Sequence, residues 1–207
     1  MLARSRPGTP TDLLVIGLGN PGPDYEGTRH NVGAATVALL AARHGERLRS
    51  GREHALCGEA RVGGHRMALA FPQSYMNDSG RSAVALVRRY GIEDLAQLII
   101  VHDELDLPVG RLQVKQGGGI AGHNGLRSLR EHLHSTDFLR VRIGVGRPPG
   151  RQEGADYVLR RPSKAERVEL DVVIAEAADA VEAVLADGVA EAMSRYNRKA
   201  GPGTEPS

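Results

Sequence analysis

VIGLGNPGPDYEGTRHNVG, residues 15–33, decides how the chain is read. It follows apolar Leu13 and Leu14, so a buried strand over 13–18 runs into a glycine-rich turn, and Arg29-His30-Asn31 then leads into an alanine-rich helix, Val32 to His44, closed by Gly45. Gly17-x-Gly19-x-x-Gly22 has the spacing of a dinucleotide fingerprint. In that motif the helix opens inside the glycines, so that its amides meet the pyrophosphate. Here Pro21 and Pro23 remove two backbone donors, the periodic helix waits until about His30, and no strand ending in an acid follows roughly 20 residues on. Nicotinamide or flavin binding is therefore not expected. The turn reads as a loop that presents Asn20 and His30 at the carboxyl end of a strand.

Outward from this stretch, strands and helices alternate. His54–Val62 and His65–Phe71 flank Gly63-Gly64, the chemistry of a tight hairpin. Asp78 or Ser79 is placed to cap a helix running to Tyr90. Leu98–His102, Arg111–Lys115 and Phe138–Val145 read as strands, and Gly122–Leu133 as a helix. A long helix, Ser163–Ala186, is expected to pack a stripe of Ala165, Val168, Val172, Ala175, Ala178, Val181 and Leu185. This order predicts an α/β class: a single domain with a mixed, largely parallel sheet flanked by helices, its ligand site beyond the strands' carboxyl ends. The expected boundaries are a disordered extension over 1–11, the domain over 12–198 and a disordered tail over 199–207.

The 207 residues, 41% apolar, suit one sizeable core. The lone Cys57 excludes an internal disulfide and a cysteine-based zinc site, and reads as a small buried hydrophobe. No apolar run approaches the roughly 20 residues that span a bilayer, and the N-terminal stretch lacks the apolar region of a secretory signal, so no membrane partner and a cytoplasmic location are expected. No exposed apolar stripe is evident, which favours a monomer. The net charge is only +2, but eleven Lys/Arg against four Asp/Glu lie between Arg111 and Lys164. From Glu166 to Glu191 eight acids face one arginine, which suggests a basic working surface and a solvated acidic helix.

Polar groups gather where strands should end: Asn20 to His30, then Gln73-Ser74-Tyr75-Met76-Asn77 after a proline, then His102-Asp103-Glu104-Leu105-Asp106. A fourth segment, GGGIAGHNGLRSL from Gly117, has glycines that let backbone approach a ligand before His123 and Asn124 open a helix. A histidine, an acid and three amides suffice for a hydrolytic site without a nucleophilic serine or a metal. No G-x-S-x-G elbow exists. His132 and His134, two apart on a helix, face different directions. Asp103, Glu104 and Asp106 read as an acidic turn rather than a cation site.

These segments resemble bacterial-type peptidyl-tRNA hydrolases. The family's marks, GLGNPG…Y…TRHNVG, the YMN-SG segment, HDELDL, GG-x-x-GHNGL-S and F-x-R-x-RIG-x-GRP, occur in order from Leu14 to Pro148. The resemblance implies a twisted mixed sheet between helices and hydrolysis of the ester joining a peptide to the 3′ ribose of tRNA. It implies His30 as catalytic base and Asp103 as its acid partner. Asn20, Asn77 and Asn124 match amides that hold the peptide and the water or oxyanion, and Tyr25, Tyr75, Met76 and His123 complete the substrate-binding set. Lys115 and Arg142 match a basic pair that clamps the tRNA 5′ phosphate, with no metal and no nucleotide cofactor. Ala121 departs from the family's usual glycine, Ser74 from threonine and Phe71 from lysine. Two other classes remain to be distinguished: a non-catalytic RNA-binding module, with no need of His30 and Asp103 together, and a metal-dependent hydrolase, sensitive to chelator.

Overall fold

The computed structural model describes residues 10–148, 150 and 153–197. Seven strands form one mixed sheet: β1 (Leu13–Gly17), β2 (Arg49–Ser50), β3 (Ala55–Val62), β4 (His65–Pro72), β5 (Leu98–Glu104), β6 (Leu112–Gln116) and β7 (Leu139–Gly144), in the order β2-β3-β4-β1-β5-β7-β6. The central four, β4-β1-β5-β7, run parallel, and the edges are antiparallel. Central strands buried on both faces are largely apolar, and in β1 and β5 polar residues enter only at the carboxyl end of β5, in His102-Asp103-Glu104. Leu13–Gly17 and Leu98–Glu104 are indeed buried at every position.

Alternation along each strand feeds two cores. Leu13 and Val15 enter one with Val37 and Leu40 of α1 (Val32–Arg43) and with Val173, Ala177 and Val181 of the long carboxyl-terminal helix. Leu14 and Ile16 enter the other with Leu86 of α2 (Ser79–Arg89) and Leu126 and Leu129 of α3 (Asn124–Leu133). Each fully buried Leu, Ile or Val stabilises by about 1.5–3 kcal/mol. The Gly63-Gly64 turn takes φ of +57° and +88°, so the expected hairpin forms in the register Val62↔His65.

Three short elements lay below the reach of sequence periodicity: β2, α4 (Gly154–Val158) and α6 (Val189–Tyr196). The long helix α5 (Lys164–Asp187) forms as expected, opened by a Ser163/Glu166 capping box, but its packed stripe differs. Val168 and Val172 are 66% and 57% exposed, while Leu170, Val173, Ile174, Ala177, Ala180 and Val184 are buried alongside Ala178 and Val181. The expected absence of an exposed apolar stripe thus fails on α5. In so alanine-rich a helix several stripes satisfy the 3.6 period, and packing against α1 and the sheet selects among them. Asp78 sits at the N-cap of α2 without a side-chain cap bond and pairs with Arg81 instead. The expected disordered extension over 1–11 and tail over 199–207 fall mostly on residues 1–9 and 198–207, outside the described residues. Thr11, assigned to the extension, is buried, and its amide donates to the Tyr90 carbonyl.

Candidate active site

The parallel strands β1, β4 and β5 release their chains at one edge of the sheet, where Asn20, Tyr75–Asn77 and Asp103 emerge. The first two glycines of the opening motif serve packing, not phosphate. A Cβ on Gly17 would lie 2.2 Å from the Gly33 carbonyl oxygen, so only glycine lets α1 press backbone to backbone on β1. That approach sets a single 3₁₀ turn, Arg29–Asn31, at the lip of the sheet. Asn31 then gives up helix capping. Its Oδ1 accepts from the Asn20 amide at 2.9 Å and its Nδ2 donates to the Asn20 carbonyl at 2.9 Å. Asn20 Oδ1 accepts from the Met76 amide at 2.7 Å, so among the described residues its Nδ2 donors are uncommitted.

Asn20, His30, Tyr75, Met76, Asn77, Asp103, His123 and Asn124 line one cavity of about 310 Å³, joined by Ala155, Val158 and Leu159. Asp103 is its centre. One carboxylate oxygen, Oδ1, accepts from His30 Nδ1–H at 2.9 Å and from His123 Nε2–H at 3.0 Å. The tautomers follow from geometry. His123 opens α3, and its Nδ1 accepts from the Gly125 and Leu126 amides at 3.1 and 3.4 Å, which puts its proton on Nε2. His30 spends Nδ1–H on Asp103, which leaves Nε2 as its basic nitrogen. Burial opposes protonation of His30, but the charge of Asp103 and the hydrogen bond to it prevail, and the pKa is raised above 6.5. Burial would likewise raise Asp103, yet the two imidazoles hold it well below the usual carboxylate range. A third histidine, His102, donates Nδ1–H to the Asp103 carbonyl at 2.7 Å and stacks edge-on to His123. Burial first, then His123, pushes its pKa down to about 3, so it stays neutral.

Ligating atoms of His30, Asp103 and His123 lie within 4.8 Å of one another, the spacing of a metal site. The His123 tautomer opposes that use. To offer Nε2 as a ligand the ring would move its proton to Nδ1, against two backbone N–H donors. The acids at the end of β5 also diverge: Glu104 pairs with Arg142 and Asp106 with Arg147.

Tyr25 lies outside the cavity lining and meets the exposed Tyr75 edge-on, with ring centroids 6.2 Å apart. Lys115 and Arg142 are also outside it, on the β6–β7 face opposite the core, with Arg140 beside them through the register Lys115↔Arg140 and Gln113↔Arg142. The two cations are held differently. Arg142 is bound to Glu104 at 2.7 and 3.0 Å and to Gln113, whereas Lys115 makes no side-chain bond among the described residues. Arg140, buried, donates to the Gly118 and Gly119 carbonyls at 2.6 Å each. It thereby holds the loop that delivers His123, in which Ala121 takes a left-handed φ of +45° where the family's usual glycine would sit without strain. Sequence reading missed Asn31, Arg140 and the α4 wall; the TRHN and RxR motifs contained the first two, but not what they bind.

The peptidyl-tRNA hydrolase family matches residues 14–203. A Frankia alni protein named peptidyl-tRNA hydrolase is 51% identical over 191 residues, covering 91% of this chain and 96% of the relative. A Rhodococcus erythropolis protein of the same name is 52% identical over 188 residues, covering 89% and 97%. A crystal structure of peptidyl-tRNA hydrolase from Acinetobacter baumannii superposes with a TM-score of 0.84 at 36% identity, covering 92% and 97% of the two chains.

Proposed function

From the premise that the chain belongs to the peptidyl-tRNA hydrolase family and hydrolyses peptidyl-tRNA, we propose that His30 is the general base, oriented by Asp103, and that no metal takes part. Water, not a protein side chain, is the nucleophile. Its oxygen attacks the ester carbonyl carbon while its proton passes to His30 Nε2. Asp103 stabilises the imidazolium as it forms. The Nδ2 donors of Asn20 and Asn124 face the developing oxyanion, a contribution of about 10²–10³ in rate per donor in comparable sites. Collapse breaks the bond to the 3′ oxygen of the ribose, which recovers the proton from His30 and leaves free peptide acid and tRNA. Asn77, Tyr75 and Met76 hold the peptide, and Lys115, with Arg142 fixed beside it, meets tRNA phosphate. All these groups come from one chain, so a monomer suffices, and no helix among the described residues is long and apolar enough to cross a membrane.

The observation that carries this reading is the single Asp103 oxygen that binds His30 Nδ1 and leaves Nε2 basic. Release of a labelled N-blocked aminoacyl group is the test, run on tRNA and on a minimal ester without the tRNA body. His30→Ala should lower kcat by at least about 10²-fold while tRNA binding persists. EDTA should leave cleavage of the minimal ester unchanged. Activity of His30→Ala within a few-fold of wild type rejects the base, and loss in EDTA rejects the metal-free route.

A further inference from the structure

Arg29 immediately precedes the base, yet its guanidinium is committed to another wall of the cavity. It is buried, 5% exposed, and lies 4.1 Å over the Tyr157 ring. Its Nη1 donates to the carbonyls of Tyr157, Arg160 and Arg161 at 3.4, 3.1 and 3.4 Å, and its Nη2 donates to both carboxylate oxygens of Glu166 at 2.7 and 2.9 Å. Arg161 returns the contact, donating to the carbonyls of Glu26 and Pro23 at 3.1 and 3.2 Å. Two arginines thus clasp residues 154–166 to the loop that bears His30, one reaching in each direction. What they hold is α4, whose five residues are too few to persist alone and which has no N-terminal side-chain cap. A cation at the carbonyls that end this helix is favourably placed, and its bond to Glu166 ties α4 to the start of α5. α4 and its following residue supply Ala155, Val158 and Leu159 to the cavity that Asn77 and Asn124 also line.

We propose that Arg29, with Glu166 and Arg161, is a positioning residue for substrate selection: it fixes α4 as an apolar wall that receives the side chain of the peptide's last residue, the one esterified to tRNA. This rests on the cavity being the ester-hydrolysis site described above. A wall of this kind contributes to KM through the acyl side chain and leaves the His30–Asp103 chemistry untouched.

Glu166→Gln is the first variant, because glutamine keeps the capping box while removing the charge from the clasp. Arg29→Lys is the second, keeping the charge but offering one nitrogen where arginine holds the carbonyls with Nη1 and Glu166 with Nη2. Both are assayed on minimal N-blocked leucyl and glycyl esters that lack the tRNA body. KM for the leucyl ester should rise about tenfold, the usual worth of an apolar pocket contact, with under about twofold for the glycyl ester. The kcat and the acid limb of its pH profile should stay as in wild type. Val158→Ala, which trims the wall and spares the clasp, should reproduce the leucyl–glycyl difference and covers the case in which a clasp variant does not fold. A lowered Tm with unchanged KM, an equal loss on both esters, or a fall in kcat with a displaced acid limb overturns the proposal. Failure of the base assignment would appear separately, as retained activity in His30→Ala.

Discussion

At Asp103 two imidazoles compete for one carboxylate oxygen, and this sets the strength of the base. The proposed mechanism needs His30 unprotonated, and its pKa is raised, so the acid limb of the activity profile should have its midpoint above pH 6.5, with activity lost as pH falls through it. In Asp103→Asn the charge that raises the pKa is lost and the hydrogen bond is at best a neutral one, so burial gains weight and the limb should move to lower pH while kcat drops about 10²–10⁴-fold. Minimal-ester hydrolysis from pH 5 to 8 measures both; an unmoved limb would show that Asp103 does not act on His30. The basic pair also separates at this scale. Lys115→Ala should raise KM for peptidyl-tRNA and reduce the salt slope by about one, with an unchanged Tm. Arg142→Ala strips the partner from a buried glutamate and should destabilise the fold by about 3–5 kcal/mol as well. Thermal melts beside KM at several salt concentrations tell the two apart. His30, Asp103 and the asparagines were legible because their chemistry is written in residue type at strand ends. Asn31 and Arg140 were not, because their work is to bind backbone that is distant in sequence.

Among elements, the decisive contact is α1 against β1. A Cβ on Gly33 would stand 2.2 Å from the Val101 carbonyl oxygen and 2.7 Å from the Leu18 nitrogen, all backbone that has no rotamer to change. Gly33→Ala should therefore wedge β1 from β5 at the site's edge, cost about 1–3 kcal/mol and lower kcat together with Tm; a melt at wild-type temperature would refute the close approach. Periodicity found the strands, the hairpin and the four longer helices. It missed β2 and α4, which are too short to show a period, and chose the wrong stripe on α5, where small apolar residues occur at several phases. Capping was misread at α2, where Asp78 found a better partner in Arg81 than in its own helix.

For the whole molecule, burying three histidines around one aspartate has a consequence for acid stability. His102 has a pKa of about 3 in the fold against 6.5 when unfolded, so the unfolded chain binds a proton that the folded one refuses. The stabilisation is full above pH 6.5 and is lost as pH falls from 6.5 towards 3, at up to about 1.4 kcal/mol per pH unit. His30, with its raised pKa, works in the opposite sense and above this window: its stabilisation is present below pH 6.5 and is lost as pH rises through its folded pKa, so the slope below 6.5 isolates His102 from His30. His102→Gln should flatten the fall of stability between pH 6.5 and 4 relative to wild type, measured by denaturant melts; identical slopes would mean that His102 titrates normally.

The α/β class, the strands' carboxyl edge as the candidate site and the residue types gathered there were determined by sequence alone, because alternation, turn chemistry and the functional groups of side chains are local properties. Tertiary structure decided how those residues are used. The bonds that orient His30, bring His123 onto Asp103 and fix α4 join positions 73, 20 and 137 residues apart, and the neutralisation of Arg142 joins positions 38 apart. No periodicity or spacing encodes such distances; they exist only once the parallel strands bring their ends to one edge.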